Sequence, residues 1–387
     1  ADAVEGAIVS KWAGKYVIGL TGNIGTGKSV VRKMLEHLGA YGIDADALAH
    51  RAIAKGAPGY QQVVQVFGQY VLSPNGEINR ARLGRLVFSD PDALSQLEAI
   101  IHPLVRQALD FLIKRAAQPV VVIEAIKLLE ASLGKQCDSI WVVYAPPETQ
   151  INRLIQRRAM SESEARQRMD AQPPQEQKVA AANIVIRNAG SFEDTWKQVL
   201  AAWRKTVPAV EEPTAQPVEP TTFKGELHVV RGLPRHSHEI ASLLNRLADG
   251  GQAHTSDEIM AAFGEKAFLM LKVDKNLQGV IGWQVENLVS RTTDIVVDPS
   301  LPILPALTAL IKDMETSSQD LQCEASLIFV KPSLARFKGL WRELGYEAMK
   351  PEALEVQAWQ DAARESTQPG TVLLFKKLRQ DRILRPI

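Results

Sequence analysis

The residues best suited to chemistry are Gly22, Asn23, Ile24, Gly25, Thr26, Gly27, Lys28 and Ser29. They satisfy the pattern G-x-x-x-x-G-K-[ST] at every fixed position, the signature of a loop that cradles phosphates. Gly22, Gly25 and Gly27 allow backbone conformations closed to other residues and let amides approach an anion closely. A helix starting at Lys28 would add unpaired N–H groups and the positive end of its dipole. Lys28 would reach the β- and γ-phosphates of ATP, and Ser29 would hold Mg²⁺. With Val30, these residues make up the nucleotide-binding loop that we expect.

Carboxylates stand where such a loop needs them. Ile43-Asp44-Ala45-Asp46 follows a short apolar run, and ligands of open parallel sheets bind beyond the carboxyl ends of strands. An acid there can take the proton of an acceptor hydroxyl, worth about 10²–10⁴-fold in rate, or orient Mg²⁺ through water. An Asp after a strand also suits a helix N-cap, so one of the pair can cap while the other does chemistry. Glu124 ends the run VVVIE and is a second candidate metal-side acid; a solvated strand end is its plainer reading. His102-Pro103 is expected to break a helical region, and a lone His is more often structural than catalytic. Arg153 and Arg157 are four apart and share a helix face. In small P-loop kinases such a helix can set guanidinium groups against the transferring phosphoryl; a solvated basic face is the alternative.

These residues need elements to position them. Strands are expected at Tyr16–Thr21, Tyr41–Asp44, Val120–Glu124, Ile140–Tyr144 and Asn183–Arg187. Helices are expected at Lys28–Leu38, Thr149–Arg158 and Ser161–Ala171, with a mostly helical insertion over Ala45–Ala117. The alternation implies a parallel sheet covered on both faces. Pro208–Thr222 reads PAVEEPTAQPVEPTT, without apolar periodicity, and reads as a semi-rigid linker. We therefore divide the chain into 1–207, a linker over 208–224, and 225–387. The last part alternates differently. Strands are expected at His228–Arg231, Ala267–Val273, Gln278–Glu286, Thr293–Val297, Ala325–Val330 and Thr371–Leu378. Helices are expected at Ser237–Leu247, Leu304–Thr316 and Ser333–Leu344, an α+β pattern leaning antiparallel.

Composition excludes several classes. In 387 residues the formal net charge is +1, so nothing marks a general nucleic-acid binder. Cys137 and Cys323, the two cysteines, form no CxxC pair, which argues against a disulfide framework or zinc site and fits a reducing cytoplasm. Ala1 to Lys15 lacks the layout of a signal peptide, and no apolar run approaches a membrane span, so no membrane partner is expected.

Six segments in order, GNIGTGKS, IDADALAHR, LEAIIHPLVR, IEAIKLLE, WVVYAPPETQINRLIQRRAMSESEA and NIVIRNAGS, resemble the dephospho-coenzyme A kinases over about residues 15–205. The resemblance implies an α/β P-loop NTPase fold with a helical insertion and a lid, and transfer from ATP to the 3′-hydroxyl of dephospho-CoA. It implies that Asp46 is the catalytic base, that Arg157 is the lid arginine and that Arg153 and Asn188 lie on the ATP side, with Asn188 near the adenine. It puts His102 on the acceptor side, where we also expect Thr21, Asp44 and Lys127, with Ser29 and Glu124 expected at the metal. The chain departs from the family's D-x-P-L-L-x-E, having Glu124-Ala-Ile-Lys127-Leu-Leu-Glu130. Another small P-loop kinase, acting on a nucleoside or nucleotide, is the rival reading. A retired kinase fold that binds ATP without turnover is a second.

Residues 228–378 resemble a GNAT-type acetyltransferase fold through VVRGLPRHSHEIASLLNRL, FLMLKVDKNLQGVIGWQVE, TTDIVVDP and FKGLWRELGY. Where that family has a glycine-containing pyrophosphate loop, this chain has Pro299-Ser-Leu-Pro-Ile-Leu-Pro305, and proline has no N–H to offer. The family's general-acid tyrosine aligns with Trp341, whose indole does not release a proton near neutral pH. The resemblance thus implies a non-catalytic module that binds CoA or acyl-CoA or serves in docking, rather than an active acetyltransferase; a purely structural or oligomer-forming domain is the alternative.

Overall fold

The structure is a computed structural model and describes residues 11–129, 133–158, 160–207, 227–247 and 253–379, without the side chains of 88, 89, 157 and 158. The expected linker, 208–224, lies outside the described residues. Two compact units are present: Ala1–Asp44, Ala116–Val280 and Val296–Leu301 form the first, and Ala45–Arg115, Ile281–Ile295 and Pro302–Ile387 the second. Each draws on both sides of the linker segment.

The first unit opens with β1 (Tyr16–Thr21), α1 (Lys28–His37) and β2 (Tyr41–Asp44). The second takes up the chain with α2 (Ala45–Ala52), α3 (Tyr60–Phe67), α4 (Arg80–Ser89) and α5 (Pro91–Arg115). Back in the first unit follow β3 (Val120–Glu124), β4 (Ser139–Tyr144), α6 (Pro147–Arg158), α7 (Glu162–Asp170), α8 (Gln175–Ala180), β5 (Ile184–Arg187) and α9 (Phe192–Thr206). All five strands are parallel in the order β2-β3-β1-β4-β5. The chain winds to one side of β1 and then to the other, so the carboxyl end of β1 is where the strand order reverses. Near-continuous apolar runs suit strands covered on both faces. Ile18, Leu20, Val122, Trp141 and Val143 pack with Val31, Met34 and Leu35 of α1 and Val199 of α9.

Pro103 does not break the insertion as expected: α5 runs through it from Pro91 to Arg115. Proline removes one helical hydrogen bond and crowds the preceding turn. Here α2, α3 and α4 all pack on α5, and that packing holds the helix across the defect.

Beyond residue 226 come β6 (Leu227–Arg231), α10 (Ser237–Leu247), α11 (Ser256–Ala262), β7 (Ala267–Val273), β8 (Asn276–Glu286) and β9 (Val289–Val297). The chain ends with α12 (Ile303–Asp320), β10 (Ala325–Val330), α13 (Pro332–Ala335), α14 (Lys338–Glu343), β11 (Glu347–Ala348), α15 (Gln357–Ser366) and β12 (Val372–Lys377). The second sheet has the order β11-β12-β10-β9-β8-β7-β6. Its β6–β7, β10–β12 and β11–β12 pairs are antiparallel and β9–β10 is parallel. Asn287 and Leu288 join β8 to β9 with φ of 52° and 62°, the left-handed pair that a tight hairpin turn requires. The single helix expected over Ser333–Leu344 is two: α13 and α14 are separated at Arg336 and Phe337. The Trp341 indole donates to the Leu334 carbonyl at 2.9 Å, satisfying an acceptor that a continuous helix would have used. Among the described residues no helix is long and apolar enough to cross a membrane.

Candidate active site

The loop between β1 and α1 is shaped by its glycines. Gly22, Gly25 and Gly27 take φ of 153°, 76° and 91°. A Cβ at Gly22 would lie 2.4 Å from the Val143 carbonyl oxygen, and one at Gly27 would lie 2.1 Å from Asn188 Nδ2. Both sterics and backbone conformation therefore demand glycine. Gly27 leads into α1, whose first amides lack partners within the helix.

Side chains brace this loop from outside. Asn188 Nδ2 donates to Thr26 O at 2.8 Å, and Thr195 Oγ1 on α9 donates to Asn188 Oδ1 at 3.0 Å. Arg153 donates to the Thr26 and Asn188 carbonyls at 3.1 and 2.9 Å. Gln172 Oε1 accepts from Ile24 N at 2.8 Å, and Asn23 Nδ2 donates to the Pro173 carbonyl at 2.8 Å. Arg153 and Asn188, expected on the nucleotide side, thus touch the loop's backbone. Val30 packs on the sheet's core. Lys28 is 8% exposed, and its Nζ donates to the carbonyl of Asn23 at 3.2 Å. The ammonium is folded over its own loop.

The parallel register aligns Asp44 and Leu20 with Glu124 at the strand ends. Glu124 is 5% exposed; its Oε1 accepts from Ser29 Oγ at 3.1 Å and its Oε2 from Arg32 Nε at 2.7 Å. Arg32 also pairs with Glu36 at 2.8 Å, and Lys33 with Glu36 at 2.6 Å. Burial alone would lower the Arg32 pKa, but Glu36, Glu124 and Asp44 outweigh it and raise the pKa. Sequence reasoning missed Arg32, although its spacing after Ser29 puts it one turn further along the same helix face. A serine hydroxyl held by a carboxylate is a hard-oxygen donor set that fits Mg²⁺. Glu124 keeps acceptor capacity beyond the two bonds it makes. Among the described residues no group of three or more His, Cys, Asp or Glu could hold a metal.

Thr21 is fully buried, and its hydroxyl donates to the Ile126 carbonyl at 3.1 Å. Lys127 is exposed in the turn after β3. Asp44, half-buried, ends β2. Asp44 directly precedes the helix, and Asp46, also half-buried, sits in the first turn of α2, where a negative charge suits the dipole. His102 is half-buried on α5, which packs against α2 within the second unit. Arg157 lies in the last turn of α6, and its side chain is outside the described residues.

Residues 16–194 match the family described as Dephospho-CoA kinase. A Dephospho-CoA kinase of Geobacter metallireducens is 44% identical over 194 residues, which are 49% of this chain and 96% of that protein. Among solved structures, a Thermus thermophilus protein is 35% identical with a TM-score of 0.47, covering 50% of this chain and 99% of its own. An acetyltransferase of the GNAT family from Streptococcus pneumoniae covers 39% of this chain and 99% of its own, at 13% identity and a TM-score of 0.31.

Proposed function

This chain belongs to the dephospho-CoA kinase family, and we propose that it transfers the γ-phosphoryl group of ATP to the 3′-hydroxyl of dephospho-CoA, giving CoA and ADP. The observation that carries this reading is the loop Gly22–Ser29 at the strand-order reversal, with Ser29 bonded to the buried Glu124. We assign the kinase to 1–207, a linker to 208–224 and the second domain to 225–387.

The loop amides and the first turn of α1 bind the phosphates. Lys28 balances charge on the β- and γ-phosphates. Ser29 and Glu124 would hold Mg²⁺, which would offset negative charge on the phosphates. Arg153 and Asn188 keep the loop in its binding shape through the Thr26 carbonyl. Arg157 stabilises charge on the transferring group. Asp46 accepts the proton of the 3′-hydroxyl as its oxygen bonds to the γ-phosphorus, and the bond from that phosphorus to the β–γ bridging oxygen breaks. Asp44, His102, Lys127 and Thr21 serve the acceptor side. Positioning and charge stabilisation carry most of the acceleration in such transfers.

The second domain serves as a non-catalytic CoA-binding or docking module. Pro302 and Pro305 occupy the N-cap and the first turn of α12, which removes amides that an anion would need. Trp341 is buried, with its indole N–H committed to Leu334.

The test is transfer from labelled ATP by the full chain to dephospho-CoA, AMP and a nucleoside. Label on dephospho-CoA is expected, lost in Lys28→Ala and Asp46→Asn, with ATP affinity kept in Asp46→Asn. Label on AMP or the nucleoside but not on dephospho-CoA would overturn the reading.

A further inference from the structure

The helix that carries Asp46 ends on a buried charge. Asp46 lies in the first turn of α2 and Arg51 in the last. Arg51 is 8% exposed; its Nη2 donates to Glu324 Oε2 at 2.6 Å and its Nη1 to the Asn287 carbonyl at 2.8 Å. Glu324 is 1% exposed. Both acceptors come from beyond residue 280, in the same compact unit as α2. Two residues before Glu324, Gln322 donates its side-chain amide to the Leu112 carbonyl on α5 at 2.8 Å. One corner, Gln322–Glu324, therefore grips both α2 and the helix beside it.

The corner is rigidly built. Gln322 takes φ of 59°, and Asn287 and Leu288 take 52° and 62°, conformations that non-glycine residues hold only when their surroundings impose them. Glu324 N donates to the Leu288 carbonyl at 2.7 Å, and Cys323 N to the Ser318 carbonyl at 2.9 Å. A buried ion pair adds little net stability, because desolvation offsets its attraction. It does fix geometry, above all through the planar guanidinium that meets two acceptors at once. Arg51 stands five positions after Asp46 on the helix, a stiff lever of about 7.5 Å.

We infer that Arg51 is a positioning residue for Asp46, and that the corner Gln322–Glu324 is its anchor, so that the second half of the chain sets the aim of the proton acceptor. This rests on the reading of Asp46 as the base. A misplacement near 1 Å lowers such a rate by about 100-fold, so loosening the anchor acts on turnover rather than on nucleotide binding.

The experiment uses the full chain with Glu324→Gln, Arg51→Lys, Asp46→Asn and the double variant Asp46→Asn/Glu324→Gln, each checked for an unchanged circular dichroism spectrum. Glu324→Gln should lower kcat by about 10- to 100-fold with KM for ATP within about two-fold. Arg51→Lys keeps the charge but loses the fork and should lower kcat by about 10-fold, which keeps the idea testable if Glu324→Gln does not fold. In the Asp46→Asn background, Glu324→Gln should change the residual rate by less than about two-fold, since an aim without a base has nothing left to lose. Normal kcat in both anchor variants, or equal losses with and without Asp46, would overturn the inference. Near-normal turnover in Asp46→Asn alone would instead remove the reading on which it rests.

Discussion

His37 closes α1 with a ring whose protonation the fold opposes. Its Nε2 lies 2.6 Å from the Phe263 carbonyl. That carbonyl only accepts, so Nε2 carries a proton. Nδ1 is buried and without a partner among the described residues. Burial, and then the neighbouring Arg231 cation, push the pKa from 6.5 down to about 3. Arg231, exposed at the end of β6, donates to the Glu36 carbonyl at 3.1 Å. A second proton on His37 would be buried beside that cation. The folded pKa lies below the unfolded one, so the stabilisation is complete above pH 6.5 and is lost as pH falls from 6.5 towards 3. Each pKa unit is worth about 1.4 kcal/mol, so moving from pH 7.5 to 5.0 removes about 2 kcal/mol through this residue alone. His37→Gln retains an amide donor for Phe263 but does not titrate. Urea unfolding of both proteins at the two pH values isolates the contribution, because all other titrations cancel in the difference. Wild type should lose about 2 kcal/mol more than the variant on acidification. Parallel losses would refute the buried neutral imidazole, and a smaller loss in wild type would reverse its sign.

Two further substitutions probe the loop and its acid. Gly27→Ala places a methyl group 2.1 Å from Asn188 Nδ2 at φ 91°, so Asn188 must release Thr26, and ATP affinity by calorimetry should fall at least about 10-fold. Gly39→Ala, at φ 99° with open space around it, is the control: it should lose about 1 kcal/mol of stability and bind ATP normally. Glu124→Gln leaves Arg32 with one carboxylate fewer and Ser29 beside a neutral amide. It should raise the Mg²⁺ concentration for half-maximal rate and lower stability by about 3 kcal/mol, read from Mg²⁺ titrations and urea unfolding. An unchanged Mg²⁺ requirement would remove Glu124 from the metal's surroundings.

Features carried by contiguous residues were legible in the amino-acid order. Tyr16–Thr21, Tyr41–Asp44 and Val120–Glu124 are strands with the bounds expected, because a β-branched run covered on both faces has one way to bury itself. The phosphate loop is equally local, since glycines, lysine and serine all act within eight positions. Helices α9 and α11 carried a readable signal that went unused: the capping boxes Ser191/Asp194 and Thr255/Glu258 each announce a helix start. The unbroken α5 and the split between α13 and α14 lay beyond local rules, because packing by other helices and the Trp341 indole decided them.

What escaped the sequence entirely are the contacts that tie the kinase motifs to the second half. Arg51 stands inside IDADALAHR and reads there as one more polar residue of a helix. Its partner Glu324 is 273 positions away, and Phe263 is 226 positions from His37. Nothing local names such a partner, because periodicity reports which face is buried and not which distant group meets it. Physical chemistry still supplies a constraint: a cation placed in a core demands an acceptor, or the fold bears its desolvation. Arg32 and Arg51 are such cations, and Arg51 finds its acceptors across the linker segment. Severing the chain at residue 207 would take Glu324 and the Asn287 carbonyl from Arg51 and the Phe263 carbonyl from His37. The boundary drawn from composition thus cuts through buried polar contacts, and a kinase segment freed of its second half would expose them to water at the helix that holds the phosphate loop and at the helix that holds Asp46.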